Sequence, residues 1–141
     1  MKKNILFFII LTILNLSCKK EQNATKETTR MERVIAIHDE VMPKMGTIGK
    51  LISALEPKID SSETGTQYKV AKDNLEEAYT YMMDWMKGFG DRFESDEILE
   101  GKALSEQKVA WLIEEEEKVN IMRDKINNSI SLAKALLNEE N

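Results

Sequence analysis

Residues 31–55 read MERVIAIHDEVMPKMGTIGKLISAL, and their spacing decides the fold. Met31, His38, Met45 and Ile52 recur every seven residues, and Val34, Val41, Ile48 and Leu55 do so three places later. Alternating steps of three and four lay these side chains along one face of a helix with about 3.6 residues per turn. The pattern predicts a helix over about 30–56 with a coiled-coil-like seam. Pro43 lies inside it on the outer face. It removes one backbone bond and crowds the carbonyl of Asp39, so a kink or a local π-type turn is expected there. The apolar phase is unchanged across Pro43, which favours one bent helix over two separate ones.

Working outward, Pro57 closes this helix, and Asp60-Ser61-Ser62 with Gly65 marks a turn. Thr64 and Gln67 have the spacing of a capping box for a second helix. Its seam is Tyr68, Ala71, Leu75, Ala78, Met82, Trp85 and Phe89, with Gly88 and Gly90 expected to end it. The acidic stretch Asp91 to Gly101 reads as a connection with room for one helical turn. A third helix is predicted from about Lys102 to Asn138. Leu112, Val119, Met122, Ile126, Ala133 and Leu136 form its inner face. The run Glu114 to Glu117 covers every direction around a helix, so one carboxylate, Glu115, must turn inward. Three seams with short connections predict an all-α fold: an antiparallel up-down-up three-helix bundle over residues 30–141.

Composition agrees with this. A chain of 141 residues with 32% charged residues, two Pro and six Gly suits one helical domain. A net charge of −5 argues against a nucleic-acid partner. One Cys excludes an internal disulfide, and one His excludes multi-His zinc sites and most catalytic triads. There is no Gly-rich phosphate loop. No catalytic residue is assigned, and the chain reads as non-enzymatic.

The N-terminus carries an address. Lys2 and Lys3 precede an apolar run from Ile5 to Leu16 that ends at Ser17-Cys18. Such a run reaches about 18 Å as a helix, short of a roughly 30 Å hydrocarbon core, so residues 1–17 read as a signal peptide. A small residue directly before the only Cys resembles the lipobox of bacterial lipoproteins, although Asn15 stands where a Leu is usual. That resemblance implies lipid attachment at Cys18. Residues 18–29 hold one apolar side chain between Cys18 and Arg30, Ala24, and read as a flexible tether. The expected location is the cell envelope, lipid-anchored, at the outer membrane and facing the periplasm. The expected role is contact with another envelope protein, with no assignment of partner or oligomeric state.

Methionine is the one unusual feature. His38, Met42 and Met45 lie in one stretch, and Met82, Met83 and Met86 in another. Helical counting brings the two stretches to one end of the bundle, with Trp111 and Glu115 nearby. One reading is a Cu(I) site of thioethers and imidazole. The other is a Met-filled core in which His38 is buried and hydrogen-bonded to Glu115 as a polar layer. HDEVMPKMG (38–46) and YMMDWMKGF (81–89) together resemble a group of small Bacteroidota helical lipoproteins often labelled viral A-type inclusion proteins. That resemblance implies a helical lipoprotein of unknown function and carries over no catalytic residue.

Overall fold

The computed structural model of the chain describes residues 26–138, and every regular element among them is helical. Helix α1 (26–41) passes through a 3₁₀ turn (Met42–Lys44) into α2 (Met45–Leu55) and a second 3₁₀ turn (Glu56–Lys58). Helices α3 (Glu63–Arg92), α4 (Ser95–Leu99) and α5 (Glu106–Asn138) follow. The fold is all-α, as the seams predict. The signal peptide, Cys18 and the tether up to residue 25 lie outside the described residues. The last four tether positions, 26–29, are helical instead. Once Met31 and Val34 are buried, a helix extends back through residues lacking Gly and Pro at little cost.

At Pro43, where a kink or a local π-type turn is expected, the backbone instead tightens into a 3₁₀ turn. Val41 (φ −100°, ψ −20°) and Lys44 (φ −76°, ψ −14°) stay right-handed helical, and the Met45 amide bonds to the Met42 carbonyl. A 3₁₀ turn bonds three residues back rather than four, so it absorbs the missing proline donor without rotating the stripe away. Val34, Val41, Ile48 and Leu55 are accordingly all fully buried. α3 starts two residues earlier than the Thr64–Gln67 box implies, with Ser62 as its N-cap. The Ser62 hydroxyl accepts from the Gly65 amide at 2.9 Å, and Asp60 Oδ1 accepts from the Ser62 amide at 2.9 Å. This fold-back brings Asp60 so close that a Cβ on Gly65 would lie 2.6 Å from its nitrogen and 2.7 Å from its carbonyl oxygen. α3 then runs through Gly88 and Gly90 to Arg92, ending where Phe93 turns extended (φ −124°, ψ 140°).

Burial selects one face of each long helix. All seven predicted seam residues of α3 are buried. On α5 the buried set includes Leu112, Glu115, Val119, Met122, Ile126, Ser129 and Ala133, spaced by three and four throughout, while Leu136 is half-buried. Polar ties fix the register. Arg30 meets Glu116 at 2.6 Å and Lys44 meets Asn127 at 2.7 Å, linking the first helical stretch to α5 in the same direction. Lys125 meets Glu77 at 2.6 Å and Arg92 meets Glu115 at 2.8 Å, linking α3 to α5 in the opposite direction. These ties place α1 and α2 over one side of the α3–α5 pair.

The Gly65 contact generates a paired test. Gly65→Ala should lower unfolding stability in urea by roughly 1–3 kcal/mol, the usual range for overpacking. Gly88→Ala meets no heavy atom within 4 Å and should be neutral or stabilising by about 0.5–1 kcal/mol. Equal losses at both positions would refute the turn geometry.

Candidate functional site

Trp85 and Phe89 lie one turn apart on α3, and Phe93 continues the line. Their rings form a ladder, with centroids 4.9 Å apart at each step. His38 of α1 extends it, stacked on Trp85 at 5.6 Å with 28° between planes. Its Nδ1 lies 2.9 Å from Asp39 Oδ1. With the proton on Nδ1, His38 donates to Asp39 and Nε2 keeps a lone pair. Nε2 and the Trp85 indole nitrogen are both enclosed and have no hydrogen-bond partner among the described residues.

Glu115 is 2% exposed, but its partner is not His38. Its Oε1 accepts from Arg92 at 2.8 Å and from Lys118 at 2.9 Å. The imidazole leans on α3, whereas the carboxylate on α5 is reached by the long Arg92 side chain from the end of α3. Arg92 also bonds Glu114 at 2.8 Å and lies over the Trp111 ring at 5.3 Å. A buried anion is thus met by two cations, which satisfies its lone pairs. The sequence shows that an inward carboxylate is needed. It gives no sign that Arg92 answers it, because that contact joins the ends of two helices.

Two other carboxylates are held in their charged form. Burial works to raise the Glu97 carboxyl, but the Glu94 amide (2.8 Å) and Lys108 (2.6 Å) outweigh it and leave it below its usual value. Burial acts likewise on Glu116, and Arg30 and Arg33 overcome it to give a lowered value.

The six methionine-stretch residues do not share one environment. Met82 is fully buried, Met45 and Met86 are partly buried against the core, and Met42 and Met83 are 44% and 45% exposed. His38 is partly buried, its side chain 20% exposed. Among the described residues, no three His, Cys, Asp or Glu side chains are grouped to hold a metal ion.

Opposite the side that α1 and α2 cover, α3 and α5 leave a groove with two hollows. One, of about 370 Å³, lies between Asn74, Glu77 and Ala78 of α3 and Ile121, Asn128 and Leu132 of α5. The other, of about 360 Å³, lies between Tyr81, Trp85 and Gly88 of α3 and Glu115 and Lys118 of α5. Lys125 lies 5.8 Å over the Tyr81 ring between them, so the hollows follow one another in register. Ile121 and Leu132 on the rim are each 42% exposed. No single spacing rule predicts this groove, since it requires knowing which side the first helical stretch covers. No helix among the described residues is long and apolar enough to cross a membrane. No protein-family model, curated protein or solved structure matches this chain.

Two predictions follow from the charges. Arg92→Met should cost roughly 3 kcal/mol, the lower end for breaking a buried pair because Lys118 still faces Glu115. The double variant with Glu115→Leu should recover most of that loss in urea unfolding. Stability drawn from Glu97 and Glu116 is fully present above the unfolded carboxylate value of about 4.3 and is lost as pH falls through their lowered folded values. Glu116→Gln should therefore flatten the fall in Tm as pH drops below about 4.3, the unfolded carboxylate value. An unchanged slope would show that the Arg30–Glu116–Arg33 cluster adds nothing.

Proposed function

We propose that this chain is a non-enzymatic, lipid-anchored protein of the cell envelope that works by holding another envelope protein against its helical body. The body is read as an up-down-up three-helix bundle, a reading supported by the opposed α3–α5 ties and the parallel ties from α1 to α5. The anchor is read as a lipid on Cys18 behind a signal peptide over residues 1–17, supported by the apolar run ending at Ser17-Cys18. Stable attachment at a bilayer takes more than one acyl chain, as lipoprotein processing would supply.

The observation that carries the contact reading is the α3–α5 groove. Two packed helices with an uncovered groove offer the seat that a further amphipathic helix fills in larger bundles. Ile121 and Leu132 provide apolar anchors there, while Lys125, Glu77 and Asp124 supply a charged rim. That combination, an apolar centre with a polar edge, is the usual anatomy of a protein interface.

Two experiments test this proposal. Cys18→Ala should move the protein from the membrane pellet to the soluble envelope fraction, and retention in the pellet at high salt would refute the anchor. A photo-crosslinker at Ile121 in growing cells should give one discrete adduct that Leu132→Asp abolishes. The same probe at Lys69, on another face, should give none. Equal adducts from both positions would refute the groove as the contact site.

A further inference from the structure

The enclosed Nε2 of His38 is a lone pair without a use in the fold. A buried polar atom of this kind ordinarily has a partner. Its environment selects the kind of partner. The Nδ1 side is tied to the Asp39 carboxylate at 2.9 Å, which fixes the ring and leaves Nε2 as the donor atom, the arrangement commonly found behind metal-bound imidazoles. The face of Trp85 lies parallel to the ring at 5.6 Å, and an indole face attracts a cation.

The methionines of α3 complete the picture. Met82 and Met86 stand three before and one after Trp85, four residues apart and hence on one face of the helix. The α5-facing margin of α3 is marked by Glu77 and Tyr81, both in contact with Lys125. About 100° per residue puts Met82 near the middle of the buried face and Met86 on the margin away from Tyr81, both within one turn of Trp85, on which His38 stacks. Met82 is fully buried and Met86 is partly buried against the core. Met42 and Met83, by contrast, are exposed.

We propose that His38 Nε2 and the thioether sulfurs of Met82 and Met86 bind one Cu(I) ion, with the Trp85 ring closing the site. One neutral imidazole and two neutral thioethers bring no negative charge, so the site favours a soft monovalent ion over Zn²⁺ or Mg²⁺. The ion binds as Cu(I) and leaves as Cu(I), with no electron transferred and no proton released from the three ligands. The site shares Trp85 with the groove, where that residue lines one hollow, but its test reads metal binding and not partner capture.

The test is an anaerobic titration of the full chain in detergent with Cu(I), against a chromogenic Cu(I) chelator as competitor. Trp111→Phe leaves Trp85 as the sole tryptophan, since the chain has two. One equivalent should bind with a Kd of about 1 µM or tighter and quench Trp85 fluorescence, with saturation at one ion per chain. Met82→Leu and Met86→Leu preserve volume and should each weaken binding by about tenfold or more, with helicity unchanged. His38→Gln should remove it. Met42→Leu, Met83→Leu and Cys18→Ser should leave it intact. Failure of the wild type to hold Cu(I) at micromolar concentration overturns the proposal. So does binding that survives the Met82 and Met86 variants, or that is lost with Met42, Met83 or Cys18.

Discussion

The apolar stripe of the first helical stretch has to keep its phase through Pro43, because everything else packs against that stripe. Val34 and Val41 lie before the proline and Ile48 and Leu55 after it, and all four are fully buried. A rotation of a single residue, about 100°, would carry the second pair out of the core. The 3₁₀ turn at Met42–Lys44 prevents that by tightening the backbone instead of breaking it. With the phase kept, Lys44 reaches Asn127 and Arg30 reaches Glu116, and the first stretch is held along α5 from Glu116 to Asn127. The other side of the α3–α5 pair is left open as a consequence.

Charge within the structure is arranged around that packing. The seam of α5 places Glu115 where an apolar residue would pack, and two cations converge on it. Replacing such a buried group with an apolar one is often tolerated, so its presence is weak evidence for added stability. A buried ion pair can instead help fix register, since sliding α3 by one turn would separate Arg92 from Glu115. The same layer couples the end of α3 to α5 at the level of Trp111, so a change at any of these side chains is felt by the others.

Much of the fold was legible in the sequence because seams are periodic and periodicity is local. The seven α3 positions and the inward turn of Glu115 follow from counting by three and four. Ser129 obeys the same count, between Ile126 and Ala133, and was missed because a serine does not look like core. Its hydroxyl bonds the Ile126 carbonyl at 3.1 Å, which is how a small polar residue satisfies itself inside a helix pair. Tertiary choices were not legible. Register pairs His38 with Glu115, and the structure stacks it on Trp85 instead. Gly88 and Gly90 looked like a stop, yet α3 continues because Phe89 is buried there and Phe93 follows into the core. The exposed groove depends on which side of a helix pair is covered, a fact no single segment contains.

Helix α1 is already under way at Lys26, and this sets a length scale. With the proposed lipid on Cys18, seven residues lie between the anchor and Lys26, and seven residues span at most about 25 Å. The 33 residues of α5 make a rod of roughly 50 Å. The body is therefore about twice as tall as its leash is long. On the proposed anchoring, the end near the bilayer is the one where Gly101 sits beside Thr28, and the far end is the turn before α3. On that reading, a partner engaging the α3–α5 groove would present its own segment within a layer roughly 75 Å deep above the membrane, the sum of leash and rod. Confinement to so thin a shell raises the local concentration of the two proteins for each other, so a modest contact suffices to keep them together.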